Sequence, residues 1–220
     1  MVELLSGLRV AYLHGFASSP GSRKAQFFEE RLASVGVRME IPDLAESRFE
    51  RLTITGQLQV VEHLLAGQPA VLIGSSLGGY LAGLYAARHS EVKKLILLAP
   101  ALGFHRLWVE ELGPARLERW RKSGSMPIFH YGEEREVPLG YQLMADAEAY
   151  EPFPEFKQPA LIFHGNQDPV VPIGQSLQFA QFHANVRLIA LESGHELTDV
   201  LDTIWHEARS FLEDGGVEIE

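Results

Sequence analysis

Ala70-Val71-Leu72-Ile73-Gly74-Ser75-Ser76-Leu77-Gly78-Gly79 is the stretch that decides how this chain folds. Four apolar residues, two of them β-branched, run without a break into Gly-x-Ser-x-Gly, and a Gly- and Ala-rich run follows as far as Arg88. A short buried strand that feeds straight into small residues predicts a sharp strand-to-helix turn. In such a turn side chains at positions 74 and 78 would collide with neighbouring backbone, so glycine is needed at both. The register places Ser76 at the apex and points Ser75 elsewhere. A serine at a helix N-terminus meets free N–H groups and the positive end of the dipole, both favourable to developing negative charge. A phosphate-binding loop would require a lysine after the last glycine, and Gly79 is followed by Tyr80. Ser76 is therefore the candidate nucleophile.

Working outward, short apolar runs alternate with helical patterns. Leu8–Leu13 reads as a strand ending at His14-Gly15. A helix beginning near Ser22 carries Phe28, Leu32 and Val35 on one face and stops at Gly36. Val37–Ile41 reads as a short strand cut off by Pro42, and Ile54–Ala66 as a helix with Leu58, Val61 and Leu65 in a stripe. Lys94–Ala99, Ala160–Phe163 and Val186–Ala190 read as strands. A last helix is expected from near Glu196, with Val200, Leu201, Ile204, Ala208 and Phe211 at helical spacing. Strands apolar on both faces that alternate with helices imply one α/β domain, 1–220, built on a doubly wound, mostly parallel sheet. Such sheets bind ligands at the carboxyl ends of their strands. Between Pro100 and Pro159 no strand is expected. Helical patches at Leu107–Arg121 and Leu139–Ala149, with Trp108, Trp120, Phe129, Tyr131, Tyr141 and Tyr150, read as a helical lid insertion over residues 101–158; the plainer alternative is a segment that only packs aromatics against the body.

Composition removes other classes. The 220 residues carry a formal charge of -10 and no basic stripe, which argues against a nucleic-acid partner. There is no cysteine, hence no disulfide, no thiol nucleophile and no Cys-bearing zinc site. Met1–Gly7 lacks a basic start and apolar core, and the apolar stretch Leu95–Phe104 is too short to span a bilayer. The expectation is a soluble cytoplasmic protein that engages no membrane.

A serine hydroxyl needs a base, usually a histidine held by a carboxylate. Of the nine histidines, His195 lies in a loop between the last strand and the last helix, at the carboxyl edge where Ser76 sits. His164, at a strand end, reads as structural, and His206 as a helix-surface or core residue. Asp168 follows a strand by a few residues in a loop bounded by Pro169 and Pro172, so it can orient His195; Asp199 and Asp202 lie too close in sequence to reach the far ring nitrogen. The catalytic set is Ser76, Asp168 and His195. For an oxyanion, the Leu77 N–H is one expected donor and the Phe16 N–H, in His14-Gly15-Phe16-Ala17, the other.

Together, Leu13-His-Gly-Phe-Ala-Ser-Ser-Pro20 and Gly74-Ser-Ser-Leu-Gly-Gly-Tyr80 resemble the small bacterial YqiA-type esterases of the α/β-hydrolase superfamily. The resemblance implies hydrolysis of a small-molecule carboxylic ester or thioester through an acyl-enzyme on Ser76, without metal or organic cofactor. Cleavage of carbon–carbon or amide bonds on the same triad is the alternative, and a non-catalytic small-molecule receptor a more distant one. Arg23 and Lys24, at the start of the first helix, read as solvated cations paired with Glu29 or Glu30, or else as attractors of an anionic substrate group.

Overall fold

The computed structural model of the protein describes Met1 and residues 5–214. Six parallel strands form one sheet: β1 (Arg9–Leu13), β2 (Met39–Glu40), β3 (Ala70–Ser75), β4 (Val92–Leu98), β7 (Ala160–Gly165) and β8 (Val186–Leu191), in the order β2-β1-β3-β4-β7-β8. The chain runs from β1 outward to β2, then returns to the other flank of β1 as β3. The crevice between β1 and β3 is thus the topological switch point, where a doubly wound sheet opens for ligands.

Both faces of the sheet are covered, because its strands are apolar on both. Leu72, Leu95 and Leu97 face one layer, with α2 (Ile54–Leu65), α3 (Leu77–Ala86) and α6 (Ile173–Phe182). Val71, Ile73, Ile96 and Leu98 face the other, with α1 (Arg23–Ser34) and α7 (Leu201–Glu213). All ten residues of α3 are buried, which explains why it lacks a polar face. No helix among the described residues is long and apolar enough to cross a membrane.

Residues 101–158 depart from the expectation. They hold α4 (Phe104–Ser123) and α5 (Gln142–Ala147), and between these an antiparallel hairpin, β5 (Ser125–His130) and β6 (Arg135–Gly140). The expectation of no strand there fails for a physical reason. Pro127 stands opposite Pro138, so the ladder lacks two donors, and only one face of β5 is shielded by the body. Helix α4 is broken at Gly113, whose φ of 66° and ψ of 167° precede Pro114. The second helical patch is shorter than expected because β6 takes Leu139 and Gly140. Likewise the last helix begins at Leu201, not near Glu196: the intervening turn includes Leu197 at a φ of 55°.

The insertion is anchored at several points. Asp146 accepts from the Thr55 N–H and hydroxyl at 2.8 and 2.6 Å, tying α5 to the start of α2. Arg88 makes a bidentate pair with Glu151 at 2.8 Å. Trp120 donates its indole N–H to Leu139 O at 2.9 Å, which joins α4 to the hairpin.

Candidate active site

Ser76 sits at the N-terminus of α3 with φ 52° and ψ -117°, a sparsely populated region for a residue with a side chain. The turn is enforced by its neighbours. A Cβ on Gly74 would lie 2.4 Å from Gly78 O, and one on Gly78 would lie 2.0 Å from Leu13 O and 2.6 Å from His14 O. The elbow therefore packs backbone to backbone against the end of β1. The Ser76 N–H donates to Leu98 O at 2.9 Å, and its carbonyl accepts from Gly79, Tyr80 and Ala101. Every backbone group of the residue is committed, and the strain is held in place.

The three strand ends of β3, β7 and β8 bring the sequence-predicted residues together. His195 Nε2 lies 3.1 Å from Ser76 Oγ, and His195 Nδ1 lies 2.8 Å from Asp168 Oδ2. With Asp168 ionised, Nδ1 carries the proton and donates it, leaving Nε2 to accept from the serine hydroxyl. The loop bearing His195 and the loop bearing Asp168 are stitched together: the Asn166 N–H donates to Leu191 O at 2.9 Å and the Gln167 N–H to Ser193 O at 3.1 Å. Gly165 permits this approach, since a Cβ there would lie 2.3 Å from Ser193 O.

Asp168 is saturated with donors. Its Oδ1 accepts from the N–H groups of Val170 at 2.8 Å and Val171 at 2.9 Å. Its Oδ2 accepts from His195 and lies 3.3 Å from Nε2 of His164. Burial alone would raise its pKa; the hydrogen bonds from His164, His195 and Val171, with the His195 charge, outweigh burial and hold the carboxyl well below the usual range. His164 itself is fully buried. Its Nε2–H donates to Val171 O at 2.8 Å, and its Nδ1 accepts from the Ser176 hydroxyl at 2.9 Å. Both of its ring nitrogens are thus engaged within the fold, beside Asp168.

The Phe16 and Leu77 N–H groups have no hydrogen-bond partner among the described residues. The loop that carries Phe16 runs beside the nucleophile: a Cβ on Gly15 would lie 3.4 Å from Ser76 Cβ. The Phe16 ring packs on Trp108 edge-on at 5.1 Å, on Phe49 at 5.4 Å and on Phe104 at 6.4 Å. The hairpin closes over the same loop, with the Tyr131 N–H donating to Ala17 O at 2.8 Å. Among the described residues no group of three or more His, Asp or Glu side chains is arranged to hold a metal ion.

The rival residues are occupied elsewhere. Asp199, which precedes α7, accepts from the Ser193 hydroxyl at 2.5 Å, and Asp202 pairs with Arg31 at 2.5 Å. His183 stacks on Phe179, and His206 is exposed. The expectation for Lys24 needs correction. It is buried, and its partner is Glu196 at 3.5 Å, not Glu29 or Glu30. Nothing in the local sequence signals this, because the two residues are 172 positions apart.

The model of an uncharacterised protein family, UPF0227, matches residues 9–213. Palmitoyl-protein thioesterase ABHD10, mitochondrial, of Homo sapiens is 30% identical over 192 residues, which cover 78% of this chain and 60% of the human protein. The chain thus spans less than two thirds of that relative's length. Among solved structures, α/β hydrolase domain-containing protein 10 from mouse superposes with a TM-score of 0.74 at 22% identity, over 92% of this chain and 90% of that one. A protein from Agrobacterium vitis S4 superposes with a TM-score of 0.81 at 24% identity, over 93% and 87%. At these identities the structural likeness establishes the fold, that of the α/β hydrolases.

Proposed function

Because the chain belongs to the uncharacterised protein family UPF0227 and has the α/β-hydrolase fold, we propose that it hydrolyses carboxylic esters and thioesters through an acyl-enzyme on Ser76. The observation that carries this reading is the unbroken line from Ser76 Oγ through His195 to Asp168, at 3.1 and 2.8 Å. Ser76 Oγ attacks the substrate carbonyl while His195 Nε2 takes its proton. The oxyanion that forms is received by the N–H groups of Leu77 and Phe16, which no other acceptor occupies. His195 then gives its proton to the leaving alcohol or thiol as the carbon–heteroatom bond breaks. Water, deprotonated by the same imidazole, attacks the acyl-enzyme; the released acid and the regenerated Ser76 hydroxyl close the cycle. Asp168 stays ionised throughout and holds the imidazolium.

A thiol leaving group is part of the reading because the human relative is a thioesterase by name. The insertion, residues 101–158, serves as the lid over this edge, since its hairpin and Trp108 both rest on the loop that carries Phe16. The test is hydrolysis of p-nitrophenyl esters from acetate to palmitate, with an acyl-coenzyme A thioester alongside, by wild type and Ser76→Ala. Turnover that disappears in the variant is the expected result. Activity that survives Ser76→Ala refutes the assignment.

A further inference from the structure

Lys24 is the one lysine of α1, and every elementary consideration is against its place. It lies in the first turn of the helix, where the dipole repels a cation. Its side chain is only 10% exposed, whereas its carboxylate partner Glu196 is 76% exposed and 3.5 Å away. An ion pair of that length with a solvated partner returns little of what burying an ammonium costs. Burial pulls the Lys24 pKa below that of an ordinary lysine, and the charges of Glu196 and then Asp168 pull it back only in part. Behind it lie two more buried polar groups on the adjoining strand ends. The Tyr12 hydroxyl has no hydrogen bond of proper geometry, and Ser75 stands beside it. These are the outer layer of the hydrolytic site, because Glu196 is the residue after His195 and Ser75 the residue before Ser76.

We propose that Lys24 is a positioning residue for His195: it anchors the base's loop through Glu196, the residue next to the base in the chain, and supplies the positive charge that balances that carboxylate. The proposal rests on the triad reading above. His195 must accept a proton from Ser76 and then release it, so its basicity has to be neither too low nor too high. The charged and titratable groups on the elements around it are Asp168 and His164 from the end of β7 and its loop, Glu192, Glu196 and Asp199 from its own loop, Tyr12 from β1 and Lys24 from α1. Asp168 is held by the N–H groups of Val170, Val171 and His195, Asp199 by Ser193 and Glu192 by Asn166, and Tyr12 is neutral because burial raises its pKa. That leaves Glu196 and Lys24 as an opposed pair whose sum, close to zero, the imidazole feels. Removing the cation exposes His195 to an unbalanced negative charge, which favours the imidazolium and moves the acid limb of activity to higher pH. Removing the carboxylate does the reverse.

The experiment is the pH dependence of kcat/KM for p-nitrophenyl acetate in wild type, Lys24→Met, Glu196→Gln and the double variant, with Ser76→Ala as the reference for the triad. Lys24→Met is expected to raise the acid-limb pKa by about half a pH unit, the size of one charge acting through a largely aqueous path. Glu196→Gln is expected to lower it by a similar amount, and the double variant to return within about 0.2 of wild type. Amide exchange over residues 193–199 is expected to quicken in Lys24→Met. Should Lys24→Met fold poorly, Lys24→Gln, which keeps a polar head, carries the same comparison. A Lys24 variant that folds, turns over and leaves the acid limb in place overturns the proposal while the triad stands. Activity in Ser76→Ala overturns the triad itself.

Discussion

Replacing Asp168 with Asn separates orientation from mere packing, because the two side chains have the same shape and opposite hydrogen-bonding character on one arm. Asp168 receives only donors: two backbone N–H groups on Oδ1 and His195 on Oδ2, with His164 Nε2 3.3 Å from the same oxygen. An asparagine must turn its NH2 toward one of these pairs. Facing the N–H groups of Val170 and Val171 would leave two backbone donors against a third donor, so the NH2 goes to the histidine side. His164 already donates to Val171 O at 2.8 Å and keeps its tautomer. His195 is the ring that gives way, and it does so by moving its proton from Nδ1 to Nε2. Nε2–H then faces Ser76 Oγ at 3.1 Å and cannot accept the serine proton. The wrong tautomer in serine proteases costs of order 10⁴ in rate, and a loss of about 10³- to 10⁴-fold in kcat, or ~4–5.5 kcal/mol, is expected here. The assay is steady-state hydrolysis of p-nitrophenyl butyrate at pH 8, with circular dichroism to show that the variant is folded. A folded variant within tenfold of wild type would refute the orientation argument. The same substitution has a signature in stability. The folded carboxyl of Asp168 titrates below its unfolded value, so it stabilises the protein fully above about pH 4 and loses that contribution as pH falls through the depressed folded value. The variant should lack that acid-side loss.

Three further outcomes follow from the packing. Gly78→Ala places a methyl 2.0 Å from Leu13 O, which only a backbone shift can relieve. A loss of about 3 kcal/mol, or roughly 6–12 °C in Tm, is expected with labelling of Ser76 by a fluorophosphonate abolished; normal labelling would mean the elbow relaxes freely. Lys94→Met removes an ammonium that caps α7 through the carbonyls of Phe211 at 2.8 Å, Leu212 at 3.4 Å and Asp214 at 2.6 Å. About 2 kcal/mol, or roughly 4–8 °C in Tm, should disappear while kcat at 25 °C stays within twofold, and an unchanged melting curve would show the cap to be idle. Trp108→Ala unpacks the ring that holds Phe16 from the insertion side, so kcat should fall about tenfold with KM little moved, as a loosened oxyanion donor requires. A change confined to KM would instead make Trp108 a wall of the substrate pocket.

What could be read from the chain alone follows the range over which each constraint acts. The elbow is legible because half of its sterics lies within five residues: a Cβ on Gly74 would meet Gly78 O, whereas the demand for glycine at position 78 comes from the end of β1 and is visible only in the fold. Asp168 and His195 are legible for a topological reason. A parallel sheet sends all its strand ends to one edge, so residues just after β7 and β8 are delivered to the residue just after β3 wherever they stand in the chain. The hairpin at 125–140 was not legible, since prolines face each other across it and one side is open to water, so neither propensity nor alternation marks it. The layer behind the triad was hidden in a different way. Asp168 and His164 are four residues apart, yet nothing in that window shows that both are sealed from solvent and that the histidine's second nitrogen is taken by Ser176. Lys24 meets Glu196 only because α1 and the β8–α7 loop pack on the same face of the sheet. Residues gathered at the strand ends follow from local sterics and strand order, whereas those packed behind them depend on which helices share a face. For this chain the meeting of Ser76, Asp168 and His195 could therefore be inferred before the structure, and the contact of Lys24 with Glu196 only after it.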